Sequence, residues 1–111
     1  MDCLFCKITN KEINSDIVLE NDKFLVFKDI HPKADVHVLI VPKKHIDSVD
    51  HTTDKDANFL GDIFLTARDT AKKLGVSQRY KLAVNVGRDG GQEIDHLHMH
   101  LLAERKGVAE K

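Results

Sequence analysis

His96-Leu97-His98-Met99-His100-Leu101-Leu102 alternates imidazole and apolar side chains almost to its end. Successive side chains of a strand point to opposite faces. The run therefore predicts a strand with His96, His98 and His100 on one face and Leu97, Met99 and Leu101 on the other. One face is polar and the other belongs to a core.

Upstream, Tyr80 to Val86 reads as a neighbouring strand, set off from the histidine run (strand Leu97 to Ala103) by the loop Gly87-Arg88-Asp89-Gly90-Gly91-Gln92. Asn85 is a polar amide inside the apolar run Leu82 to Val86, so it needs a hydrogen-bond partner. Further back, Phe59, Leu60, Ile63, Phe64, Ala67, Ala71 and Leu74 recur at spacings of three and four, which predicts one apolar stripe on a helix. Thr53 or Asp54 suits its start. Gly75 suits a left-handed ending, with Lys72 and Lys73 favourably placed against the dipole.

The run Val36-His37-Val38-Leu39-Ile40-Val41 is apolar on nearly both faces, as a central strand requires, and Pro42 stops it. Ile17 to Glu20, the turn pair Asn21-Asp22, and Lys23 to Lys28 read as a hairpin. The order β-β-β-α-β-β predicts an α+β fold with an antiparallel sheet.

A chain of 111 residues, 41% hydrophobic and 32% charged, fits one domain spanning residues 1–111 that folds without disulfides. Its 17 basic and 18 acidic side chains are mixed along the sequence, leaving a net charge of -1, so nucleic acid is not an expected partner. There is no basic patch followed by an apolar run, and no stretch nears the roughly 20 apolar residues that span a bilayer. The expectation is a cytoplasmic protein with no membrane partner. Cys3-x-x-Cys6 is too closely spaced to tie distant parts of the chain, and fits metal binding or redox chemistry.

Three imidazoles in phase beside a glycine-rich loop can surround a phosphate with a nucleophile and hydrogen-bond donors. The bland alternative is the wet face of an edge strand. A sharper rival is zinc, because His-x-His on a strand presents two ligands. Other candidates read blandly by themselves: Asp29 as a turn former before His31-Pro32, and Phe5, Ile13, Phe27 and Ile30 as core.

The segment His96 to Leu102 resembles the His-x-His-x-His-x-x signature of the histidine triad nucleotide-binding proteins, the HIT superfamily. The resemblance extends, in order, through Cys3-Leu4-Phe5-Cys6-Lys7-Ile8, Phe27-Lys28-Asp29-Ile30-His31-Pro32, His37-Val38-Leu39-Ile40-Val41-Pro42-Lys43-Lys44-His45 and Asn85 to Gln92. It covers nearly the whole chain and is nearest to the Hint branch. That branch hydrolyses purine nucleoside 5′-phosphoramidates and related adenylates, such as AMP or GMP conjugates.

The likeness implies a HIT-like sheet of about five strands with one long helix and a short N-terminal helix, in homodimers that share a continuous sheet. His98 would attack the α-phosphorus to give a nucleotidyl-histidine that water cleaves. His100 would donate to phosphate oxygens, and His96 completes the triad. His37 would relay a proton or only satisfy a core hydrogen bond. Asn85 and the backbone at Gly91 would contact phosphate, Asp29 the ribose hydroxyls, and Phe5, Ile13, Phe27 and Ile30 the purine. A structural zinc would be held by Cys3, Cys6, His45 and His96.

Glu93 departs from the pattern. The Hint enzymes commonly carry a hydroxyl there, and a carboxylate beside the phosphate repels an anion unless it is turned away or paired. This leaves a second reading, a nucleotide-binding or partner-binding module with vestigial catalysis, and a third, a triad that holds a catalytic metal. The short charged tail Lys106 to Lys111 gives no ground for assuming the tail contributions to substrate choice found in relatives.

Overall fold

The computed structural model describes residues 3–105, and the charged tail lies outside them. A short helix α1 (Leu4–Thr9) precedes strands β1 (Ile17–Glu20), β2 (Phe24–Lys28) and β3 (Val36–Pro42). The long helix α2 (Ala57–Leu74) follows, then β4 (Lys81–Ala83) and β5 (Met99–Ala103). The five strands form one sheet in the order β1-β2-β3-β5-β4, with every neighbouring pair antiparallel. This is the α+β arrangement that the strand and helix patterns predict.

Local chemistry explains the elements. Asn21 Oδ1 accepts from the backbone N–H of Lys23 and of Phe24, at 3.1 and 2.9 Å, and turns the chain from β1 into β2. The entry to α2 is a 3-10 turn, Asp54–Asp56, closed by a capping box between Thr53 and Asp56. Its exit is Gly75, at φ +75°, whose N–H reaches the carbonyls of Ala71 and Lys72.

All of β3 is buried, because it lies between β2 and β5 and is covered on both faces. Val36, Val38 and Ile40 face α2 with Phe24, Val26, Met99 and Leu101, packed on Ile63, Ala67 and Ala71. On the other face Leu39 and Val41 join Leu25 and Phe27 under Cys3, Phe5 and Ile8 of the α1 segment. His37 lies between Val36 and Val38, so strand alternation sends it to the α1 face, and Leu39 beside it pairs with His100 of β5.

Two expectations change. Phe64 is 55% exposed, and Thr66 and Thr70 are buried instead. Each threonine hydroxyl donates to the carbonyl one turn back, Asp62 O and Thr66 O, both at 2.8 Å, so small satisfied side chains pack closely on the sheet and Phe64 is left at the outer edge of the stripe. The last two strands are also shorter than the runs Tyr80 to Val86 and Leu97 to Ala103. His96 and His98 precede β5. The N–H of His96 donates to Ile94 O at 2.8 Å and that of Leu97 to Ile46 O at 2.7 Å, so the backbone bonds outside the ladder there.

Among the described residues no helix is long and apolar enough to cross a membrane.

Candidate active site and metal centre

The three triad imidazoles do not share one pocket. His96 is fully buried and its ring leaves the sheet face for the Cys3-x-x-Cys6 segment. Its Nε2–H donates to Pro42 O at 2.8 Å, which leaves the lone pair on Nδ1. That atom lies 3.2 Å from Cys3 Sγ, 3.6 Å from Cys6 Sγ and 3.1 Å from His45 Nδ1. His45 repeats the device, with Nε2 2.6 Å from Asp47 Oδ1 and Nδ1 3.3 Å from Cys6 Sγ. The N–H of Cys6 also points to Cys3 Sγ at 3.3 Å.

The four ligand atoms of Cys3, Cys6, His45 and His96 lie within 4.8 Å of one another, and neither cysteine is in a disulfide. Zinc bonds of about 2.0–2.1 Å to nitrogen and ~2.3 Å to sulfur span tetrahedral edges of roughly 3.3–3.7 Å, close to the separations found here. Pro42 and Asp47 hold the outer N–H groups that commonly orient zinc-bound histidines. The donor set therefore fits a closed structural zinc site, which would pin the N-terminal segment to the chain before β5.

His98 and His100 stay on the sheet face, with ring centroids 5.0 Å apart. His98 Nδ1–H donates to the carbonyl of His96 at 2.8 Å, so Nε2 keeps the lone pair. Burial lowers the pKa of His98, opposed by the His96 carbonyl and by the charges of Asp29 and Glu93. Burial also lowers His37, and it takes His100 down to about 4 with help from His98 and His37. The rings are neutral at pH 7, as a nucleophilic imidazole must be.

The other expected site residues divide clearly. His37 Nε2 lies 2.9 Å from His100 Nδ1 and 3.4 Å from Asp29 Oδ2, so Asp29 belongs to this cluster. Asp29 is a turn former as well, its Oδ1 accepting the N–H of His31 at 2.8 Å. Asn85 lies two residues beyond the end of β4. Its Nδ2 donates to Gly90 O at 2.8 Å, the partner its sequence context requires. Gly91 sits at φ +94°, where a Cβ would come within 3.1 Å of Asn85 Nδ2.

Of the four apolar candidates, Phe5 and Phe27 are core, their rings edge to face at 5.6 Å, with Phe5 also on His98 at 5.1 Å. Ile13 is 39% exposed, and Ile30, next to Asp29, is 85% exposed, so neither is core. Glu93 is exposed, and its backbone carbonyl accepts Arg88 Nη1–H at 2.7 Å.

Three supporting groups escape sequence reading. Asp47 orients His45. Gln92 is buried, with its amide donating to Asp47 O and Ile94 O and accepting from the N–H of Gly87, which fastens the glycine loop to the metal-site segment. The third is the backbone N–H of Lys33, 3.1 Å from His37 Nδ1. Asp47 and Gln92 stand near recognised motifs, but a backbone amide leaves no residue-type signal.

A family model described as HIT domain matches residues 10–107. The protein HitA of Neisseria gonorrhoeae is 41% identical over 100 residues, covering 90% of this chain and 94% of the relative. A histidine triad protein of Clostridium difficile superposes with a TM-score of 0.90 at 46% identity, over 93% of this chain and 90% of that one. A HIT family hydrolase of Legionella pneumophila gives 0.89 at 44% identity, over 92% of each chain.

Proposed function

The chain belongs to the HIT domain family, and from that premise we propose that it is a hydrolase of purine nucleoside 5′-phosphoramidates or related adenylates, with His98 as nucleophile. The observation that carries this reading is the fixed tautomer of His98: Nδ1–H bound to the His96 carbonyl at 2.8 Å, with a lone pair on Nε2 of a neutral, buried ring. The likeness to a structure titled as a HIT family hydrolase supports the reaction class.

His98 Nε2 forms a bond to the α-phosphorus as the bond to the leaving nitrogen breaks, and that nitrogen takes up a proton from solvent and departs as the amine. The imidazole becomes cationic, and its Nδ1–H bond to the carbonyl strengthens as charge develops. Water then attacks phosphorus and releases a proton to solvent, the phosphorus–nitrogen bond to His98 breaks with its electron pair returning to Nε2, and the ring is neutral again. Two displacements replace one harder one.

His100 donates to the phosphate oxygens, and Asn85 with the backbone at Gly91 completes the anion contacts. Asp29 takes the ribose hydroxyls. The exposed Ile30 and Ile13 provide apolar surface for a purine, with Phe5 and Phe27 behind them; an isoleucine left 85% exposed beside Asp29 is explained by a ligand that covers it. A structural zinc at Cys3, Cys6, His45 and His96 holds the scaffold. The reading also makes the protein a homodimer, with β4 at one edge of the sheet placed to pair with a second copy; a cytoplasmic location belongs to the same reading.

The test is turnover of adenosine 5′-phosphoramidate. His98→Ala and His98→Asn should lower kcat by about a thousandfold or more while AMP still binds; an unaffected rate ends the proposal. Glu93, whose charge acts on His98, favours the module reading if the wild-type protein binds AMP yet turns over no phosphoramidate.

A further inference from the structure

We propose that His37 is a positioning residue that fixes the tautomer of His100, so that the backbone N–H of Lys33 ultimately decides which nitrogen of His100 presents a hydrogen to substrate. The inference rests on the reading above, in which His100 faces the phosphate.

The argument is a chain of donors and acceptors. A backbone amide can only donate, so the Lys33 N–H, 3.1 Å from His37 Nδ1, requires a lone pair there. The ring is neutral, because burial lowers its pKa and because a proton on Nδ1 would face the amide hydrogen. The hydrogen of His37 therefore sits on Nε2, where it meets His100 Nδ1 at 2.9 Å and has Asp29 Oδ2 at 3.4 Å on its flank. His100 Nδ1 must accept, and its own hydrogen is driven to Nε2. An imidazole that can serve phosphate only through an N–H is thus set in its donating form before substrate arrives, without reorganisation.

The same logic separates this cluster from the sulfur cluster. Asp29, His37 and His100 are close enough to hold an ion, but a metal needs the lone pair of His37 Nε2, and the Lys33 amide puts the hydrogen there. At His45 and His96 the outer partners are acceptors, which leaves the lone pairs on the inner Nδ1 atoms that face the thiols. A proton shuttle through His37 is also disfavoured, because its far end meets an amide that does not give up its proton.

The test uses the full chain with 15N-labelled histidine and no substrate. Long-range 1H–15N correlations should show His37 and His100 each with hydrogen on Nε2. His37→Leu removes the donor, and should mix the His100 tautomers and lower kcat about tenfold or more at nearly constant affinity for AMP. His37→Gln carries an N–H donor at a similar reach but cannot pass protons, and should recover most of that loss and restore the His100 tautomer. A hydrogen on Nδ1 of wild-type His100, or a His37→Gln variant as impaired as His37→Leu, overturns the proposal. If His37→Leu does not fold, the wild-type spectrum and the glutamine variant still decide. The spectrum needs no turnover, so it stands or falls apart from the phosphoramidase reading, which is decided at His98.

Discussion

The carbonyl oxygen of His96 lies 2.8 Å from Nδ1 of His98, so the residue whose side chain joins the sulfur cluster also holds, through its backbone, the ring proposed to attack phosphorus. One residue thereby links scaffold and chemistry.

Metal removal separates the two roles. Elemental analysis should find about one zinc per chain, and Cys6→Ser or a strong chelator should lower the melting temperature by about 5 °C or more. The fraction that remains folded should still cleave adenosine 5′-phosphoramidate. Loss of turnover at an unchanged melting temperature would instead mean that the ion takes part in the reaction.

Acid should destabilise the fold in two separate windows. His100 titrates at about 4 in the folded chain against 6.5 when unperturbed. Between those values the unfolded chain binds about one proton more, so stability rises with pH there, is complete above the higher value and is lost as pH falls toward the lower. His37 and His98 shift in the same direction through burial. Glu20 acts lower: Lys11 and Lys43 hold its carboxyl at about 2 against 4.5, so its contribution is present above 4.5 and disappears as pH drops through 2. Thermal melts from neutral to acid pH should show the first slope flattened in His100→Asn and the second weakened by salt.

Gly91→Ala tests the phosphate loop. A side chain at φ +94° is strained, and its Cβ would press on Asn85 Nδ2 at 3.1 Å. Denaturant unfolding should register a loss of about 1–2 kcal/mol, and KM for the phosphoramidate should rise as Asn85 is displaced. Wild-type values for both would remove Gly91 and Asn85 from the site.

The dimer proposal is checked by sedimentation. Phe64 and Leu65 on α2 are 55% and 48% exposed, and β4 has a free edge. A homodimer that becomes monomeric with Phe64→Glu is expected. A wild-type monomer at micromolar concentration would end that part of the proposal.

The order of strands and helix along the chain, the long helix and its limits were legible because each rests on neighbours in sequence, whereas the pairing of β3 with β5 joins distant segments and was not. A nearly continuous apolar run marked Val36 to Val41, three-and-four spacing marked α2, and Thr53 and Gly75 marked its ends. The Phe64 expectation failed because a spacing rule weighs apolarity and ignores that Thr66 and Thr70 satisfy their hydroxyls within the helix. His45 as a partner of Cys3 and Cys6 came only from resemblance, since nothing local joins residues 39 positions apart.

By itself the sequence determined the antiparallel α+β class, the two-faced central strand and the identity of the chemically able residues. Only the tertiary structure decided where each imidazole is held and which group meets it. His96, His98 and His100 are equivalent in an alternating pattern, and they part company because Pro42 O, 54 residues away, takes one ring while its own backbone orders the next and the His37 ring meets the third. An imidazole has two nitrogens of opposite character, and which one is free is settled by the hydrogen bond the other makes, a relationship the folded chain sets and an alternating pattern does not carry.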